Sequence, residues 1–143
     1  MKAELIKHQA DTDAAMALRF EVFVDEQKVP AEEERDEFEE SCRHFIVKDE
    51  KGAAIGTARW RTTAKGVKLE RFAVHKNWRG KGIGSLLVKA VLEDVVSFPE
   101  LTKKKKYMHA QLDAVPLYAK FGFLKTGEPF DECGIMHYLM EKY

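Results

Sequence analysis

The sequence predicts an α/β domain, with helices packed on a mostly antiparallel sheet, on the strength of three observations. His44–Lys48, Ala53–Thr63 and Val67–His75 read as β-rich runs, and the turn-forming Asp49–Gly52 and Ala64–Gly66 join them as an antiparallel meander. Elsewhere the apolar spacing becomes helical, in Ala15, Met16, Leu18, Val22 and Phe23 and again in Ile83, Leu86, Leu87, Ala90, Val91 and Val95. Between the last meander strand and that second helix stands Arg79-Gly80-Lys81-Gly82-Ile83-Gly84-Ser85, in which glycines alternate with cations.

The other elements follow in order. Ala3–Lys7 reads as a short strand, and Asp11 or Thr12 as the cap of a first helix on which Arg19 and Glu21 lie off the apolar face. Pro30 breaks the pattern after Asp25-Glu26-Gln27-Lys28-Val29. The acidic run from Glu32 to Glu40 is either a solvated helix or loop, or the lining of an entrance that attracts a cationic amine. The helix after the glycines extends to about Phe98, where Pro99 closes it. Lys103–Lys106 lie beyond that helix, about 20 Å from its N-terminus, and read as a solvated loop rather than a phosphate patch. Tyr107–Gln111 is a strand, a small helix ends at Phe121-Gly122, and Phe123–Thr126 with Ile135–Glu141 close the sheet as an antiparallel pair.

Bulk properties bound the function. The 143 residues suit one domain, residues 1–143, with a real core. A composition of 45% hydrophobic and 34% charged residues is that of a globular chain rather than a disordered one. With 24 Lys and Arg against 24 Asp and Glu, nothing calls for nucleic acid or an anionic membrane, so the expected partners are small molecules, with a homodimer left open. Lys2, Glu4 and Lys7 follow Met1 with no apolar signal core, and no apolar run reaches spanning length, which leads to the expectation of a cytoplasmic protein. Cys42 and Cys133 have no metal-type spacing and read as free thiols. Cys133 as a nucleophile in a ping-pong transfer is the alternative, but no neighbouring base marks it out.

The glycine stretch reads as an anion cradle. A helix opening on glycines exposes its first unpaired N–H groups and its positive dipole end, and phosphate is the natural guest. Gly82 and Gly84 let a ligand approach the backbone, and Arg79 and Lys81 supply charge. Neither a Walker A loop nor Gly-x-Gly-x-x-Gly can be laid on it, and the plain alternative is a flexible strand-to-helix connection.

Arg79-x-x-Gly82-x-Gly84, placed after Leu69-Glu70-Arg71-Phe72-Ala73-Val74, resembles the acetyl-CoA pyrophosphate loop of the GNAT N-acetyltransferase superfamily. Further on, Tyr118-Ala119-Lys120-Phe121-Gly122-Phe123 resembles that family's Tyr-x-Lys-x-Gly-Phe segment. The resemblance implies a GNAT fold: a mixed, mostly antiparallel sheet of six to seven strands, splayed between the fourth and fifth, flanked by three to four helices. It implies acetyl-CoA as cofactor, held by Phe72, Ala73 and Val74 along the pantetheine arm, by Arg79, Gly80, Lys81, Gly82, Ile83, Gly84 and Ser85 at the pyrophosphate, and by Gln111, Pro116 and Tyr118, the last meeting the CoA sulfur. The implied activity is transfer of acetyl to a primary amine of a small molecule, directly in a ternary complex.

Glu70 is the candidate base. Strand periodicity puts it on one face with Phe72 and Val74 unless a bulge intervenes, and its alternative is a structural glutamate paired with Arg59 or Arg71. Tyr118 is the candidate acid for the leaving thiolate, against the alternative of a core aromatic beside Leu117 and Phe121. Arg19, His44, Arg59, His109 and His137 are candidates for the acceptor pocket. Glucosamine-phosphate acetyltransferases share the Glu70 and Ala73-Val74 pattern but differ at Arg71 and His109. A module that senses acetyl-CoA without turnover needs neither Glu70 nor Tyr118, and it is the second function class.

Overall fold

The computed structural model describes Met1–Tyr143 throughout. The strands are β1 (Ala3–Leu5), β2 (Arg43–Lys48), β3 (Ala54–Thr63), β4 (Gly66–Val74), β5 (Lys106–Gln111), β6 (Leu124–Glu132) and β7 (Ile135–Lys142). The helices are α1 (Gln9–Arg19), which runs on as a π-helical segment Phe20–Glu26, α2 (Ala31–Glu34), α3 (Ile83–Val96) and α4 (Val115–Ala119). No helix is long and apolar enough to cross a membrane.

All strands join one sheet in the order β1-β2-β3-β4-β5-β7-β6. Every neighbouring pair is antiparallel except β4–β5, which is parallel and registers only at Val67↔Lys106 and Lys68↔Tyr107. That junction is tight because Gly66, at φ 136°, has no Cβ to collide with the Lys105 carbonyl, to which Val67 N–H donates at 2.8 Å. Beyond it the two strands part, which gives the mixed, splayed sheet that the sequence resemblance implies.

α3 covers one face of the sheet with Leu87, Val88, Val91 and Val95, each fully buried, and each contributes about 1.5–3 kcal/mol by leaving water. It approaches closely because a Cβ on Gly56 of β3 would sit 2.7 Å from Ile83 Cγ2. α1 and its π-helical extension cover the other face, where Leu18, Val22 and Phe23 pack on Ala73.

Several expectations are corrected. The cap of α1 is His8, without a side-chain cap bond, and Asp11 lies inside the first turn with Thr12 close behind it. β6 runs to Glu132 rather than ending at Thr126, because an irregularity between Thr126 and Phe130, with Gly127 at φ 76°, lets pairing resume past Pro129. Arg19 is 1% exposed, since the acidic run folds back over it. Three acids of the run are thereby engaged, Glu34 and Glu39 holding Arg19 at 2.7 and 2.8 Å, Asp36 holding Arg59 at 2.6 Å and Arg71 bonding Glu34 and Asp36, while Glu32, Glu33, Glu37 and Glu40 stay exposed.

β4 also departs from simple alternation. Thr57 pairs with Ala73 and Arg59 with Glu70, so Arg71 and Phe72 together oppose Ala58 in a bulge, with Arg71 at φ 56°. After the bulge Phe72 and Val74 rejoin the α3 side with Val67 and Leu69, while Ala73 faces α1. Glu70 consequently lies on the opposite face from Phe72 and Val74, contrary to the periodic expectation.

Candidate active site

The parting of β4 and β5 opens a cavity of about 180 Å³ whose walls include Glu70, Phe72, His109, Gln111, Tyr118 and His137. Tyr118 reaches it from α4, a short helix with Pro116 in its first turn, where a missing N–H costs least. The ring is buried between Phe72 and Phe123, edge-on to both, at centroid distances of 5.6 and 6.4 Å. The Tyr118 hydroxyl makes no hydrogen bond to the protein, and since no side-chain oxygen or nitrogen sealed from solvent lacks a partner, it opens onto the cavity. Burial, with the Asp113 charge, pushes its pKa well above that of an ordinary phenol. It is a protonated donor without a partner.

Glu70 is in the opposite condition. Its carboxylate accepts from Arg59 Nε at 2.9 Å and lies 2.7 Å from Arg59 Nη2, 3.3 Å from Arg61 and 3.2 Å from Lys68. Burial alone would raise its pKa, but the Arg59 charge, the Arg61 hydrogen bond and the Lys68 charge more than offset this and leave it below the ordinary value. A carboxylate held by three cations is a poor proton acceptor, so the pairing with Arg59 is realised, while Arg71 turns to the acidic run instead.

The glycine loop is shaped as a cradle. Gly80 and Gly82 have φ of 75° and 86°, which glycine adopts without strain, and a Cβ at either would meet nothing within 4 Å. The first backbone bond of α3 runs from Leu86 N–H to Gly82, so the N–H groups of Ile83, Gly84 and Ser85 have no backbone partner. Gly84 does not clear space for a ligand: a Cβ there would lie 2.9 Å from Leu117, so its smallness serves the contact of α3 with α4. Ile83 sends its side chain into the core and offers only its backbone. Arg79 donates to the Val74 carbonyl at 3.0 Å and pairs with Glu26 at 2.9 Å, and Lys81 sits over the Trp78 ring. His75 N–H bonds back to Ile55 on β3, so strand alternation turns the backbone of Val74 toward the gap.

Of the proposed acceptor residues, His109 and His137 line the cavity, and Arg19, His44 and Arg59 do not. Arg19 and Arg59 are consumed by carboxylates, and the His44 ring faces the Glu39 carbonyl at 2.7 Å. Gln27, which accepts from Gln111 Nε2 at 2.8 Å, and Glu132, neither singled out from the sequence, complete the wall together with Lys68, Cys133 and Glu33 of the acidic run. The Cys133 thiol donates to Glu33 at 2.8 Å, and this bond, with burial, pushes its pKa up to about 11. It is a thiol at neutral pH and an unreactive one.

A family model described as an acetyltransferase (GNAT) domain matches residues 6–143. The chain belongs to the GNAT acetyltransferase family. It is 39% identical to the uncharacterized N-acetyltransferase YjcF of Bacillus subtilis, an alignment that covers 99% of each chain. Its fold matches that of Escherichia coli ElaA, with a TM-score of 0.84 at 23% identity over 100% of both chains. It also matches a GNAT acetyltransferase from Elizabethkingia anophelis with acetyl-CoA bound, with a TM-score of 0.70 at 20% identity over 98% of this chain and 97% of that one. GNAT acetyltransferases use acetyl-CoA. The residues of this GNAT chain fit such a molecule: the free N–H groups at the start of α3 and the open space over Gly80 and Gly82 suit a pyrophosphate, and the unpaired edge of β4 beyond Lys68 suits an extended arm.

Proposed function

We propose that this GNAT acetyltransferase moves the acetyl group of acetyl-CoA to a primary amine of a small molecule, directly, in a ternary complex. The observation that carries the reading is the Tyr118 hydroxyl, carried on a buried ring, protonated, without a protein partner and facing the gap between β4 and β5. A sensor that only bound the cofactor would have no use for an unpaired donor held there.

Acetyl-CoA supplies the thioester. The N–H groups of Ile83, Gly84 and Ser85 would hold the pyrophosphate, with Arg79 and Lys81 adding charge, and Phe72, Ala73 and Val74 would align the arm. Tyr118 would protonate the leaving sulfur, and Gln111, fixed by Gln27, would bound the site on the β5 side. Direct transfer is favoured because the one thiol in the cavity wall, Cys133, is held protonated by Glu33. Glu33 and Glu132 lend the acceptor side negative charge, which favours a cationic amine over a sugar phosphate.

The test is thiol release from acetyl-CoA by the purified protein across a panel of small amines, polyamines, amino sugars and glucosamine 6-phosphate. Turnover with an amine is the expected result. Tight acetyl-CoA binding with no turnover across the panel would favour the sensor, and a preference for the phosphorylated sugar would redirect the acceptor assignment.

A further inference from the structure

Glu70 is saturated by cations, so the proton of the attacking amine must go elsewhere. We propose that His137 is the group that accepts it, through Nε2, with Glu132 as the positioning residue that stabilises the resulting imidazolium. The proposal rests on the acetyl transfer proposed above.

Strand register places the ring. Continuing the parallel register of Val67↔Lys106 and Lys68↔Tyr107 sets His109 level with Glu70, and sets Gln111 level with Phe72 and Ala73 once the bulge is counted. His137 pairs with Gln111 across β5–β7, so it stands level with Phe72, against which Tyr118 packs. Side-chain alternation puts His109, Gln111 and His137 on the α1 side of the sheet with Lys68 and Glu70. Tyr118 comes from the α3 and α4 side. A proton acceptor and a proton donor thus reach one gap from opposite faces, which is the arrangement that attack on one side and departure on the other require.

The tautomer is set by the chain. His137 Nδ1 lies 2.7 Å from the Ile135 carbonyl, which can only accept, so Nδ1 carries the hydrogen and Nε2 keeps its lone pair in the neutral ring. The ring is 7% exposed and stacks on Phe130 at 6.0 Å and 22°. Glu132 Oε2 lies 3.8 Å from Nε2, while Oε1 takes the hydrogen bond of His109 Nδ1 at 2.9 Å. Once Nε2 is protonated, the carboxylate faces a cation. The other charges facing the ring are accounted for: Lys68 and Glu70 on β4 pair with each other, Glu33 of the acidic run accepts from the Cys133 thiol of the β6–β7 hairpin, and Arg71 is held by Glu34.

In the step itself the amine nitrogen bonds the carbonyl carbon and its proton passes to His137 Nε2. The carbon–sulfur bond breaks with its electron pair on sulfur, and Tyr118 supplies the proton that makes the thiol. The imidazolium returns its proton to solvent and the phenolate regains one, so amine and thioester become amide and thiol with atoms and charge conserved.

Nitrogen-15 NMR of the histidine-labelled, ligand-free protein tests the ring without any substrate. The expected result is an Nδ1–H tautomer for His137, and in turnover Glu132→Gln is expected to lower kcat with acetyl-CoA affinity unchanged. In turnover, His137→Gln is expected to lose about 100-fold or more in kcat with acetyl-CoA affinity unchanged, and to flatten the acid limb of the kcat/KM profile, whereas His109→Gln keeps that limb. An Nε2–H tautomer, a kcat indifferent to Glu132→Gln, or an acid limb that survives in His137→Gln and vanishes in His109→Gln overturns the assignment. Wild-type protein that releases no thiol with any amine contradicts the transfer reading instead, and the NMR result stands apart from it.

Discussion

Tyr118 meets Phe72 edge-on across the opening of the sheet, with ring centroids 5.6 Å apart and planes at 75°. The contact exists because a bulge at Arg71 flips the alternation of β4 and turns Phe72 to the α4 side. In a regular strand with Val67 and Leu69 on the α3 side, Phe72 would share the opposite face with Glu70 and Arg71 would point at the phenol. The same backbone irregularity therefore seats the phenol and parts Phe72 from the face of Glu70.

Glu70→Gln follows from that separation. Arg59 loses one of three carboxylates yet keeps Asp36 and Glu39, so the expected cost is about 2 kcal/mol, below the 3–5 kcal/mol typical of breaking a buried pair outright. Urea denaturation would show a lowered midpoint. Single-turnover kinetics should show less than about a tenfold loss, and a 100-fold loss with unchanged stability would restore Glu70 as a base.

The cradle predicts a different phenotype for Gly82→Asp. At φ 86° a side chain strains the backbone by about 1–2 kcal/mol, and the carboxylate would stand where a pyrophosphate is to approach. Calorimetry is expected to show acetyl-CoA affinity falling at least tenfold in a protein that still folds. Unchanged affinity would place the cofactor elsewhere.

Acid stability depends on the folded-back run. Burial would raise the carboxyls of Asp36 and Glu39, but hydrogen bonds and charge from Arg59 and Arg19 respectively, aided by backbone amides, overcome it and bring both down to about 2. Because the folded values are depressed, the stabilisation is complete above the unfolded values, near pH 4 to 4.5, and is lost as pH falls toward about 2. Circular dichroism across that window should show stability dropping, and Glu39→Gln should shrink the drop. A wild-type protein of constant stability from pH 5 to 2 would contradict the network.

Much of this was legible in the chain. The meander, the glycine loop and the placement of Tyr118 follow from local signals: β-rich runs joined by turn residues, glycines before an apolar helix, and a spaced Tyr-x-Lys-x-Gly-Phe. What escaped depends on long-range pairing. Nothing local marks Arg71 as a bulge, since a positive φ on arginine is imposed by its neighbours. Arg19 reads as an off-face residue and a pocket candidate because the carboxylates that bury it, Glu34 and Glu39, lie 15 and 20 residues away. Glu132 joins the site only because β6 resumes pairing after Pro129, beyond the Thr126 end expected from the sequence.

The central claim is that Tyr118 donates a proton to the departing sulfur, and Tyr118→Phe tests it most directly. The substitution keeps the ring between Phe72 and Phe123 and deletes a hydroxyl that has no protein partner. Single-turnover acetyl transfer is therefore expected to slow by about 100-fold or more, with the thermal midpoint and acetyl-CoA affinity held. A rate that holds while the thermal midpoint drops would show the hydroxyl to be structural and would contradict the account.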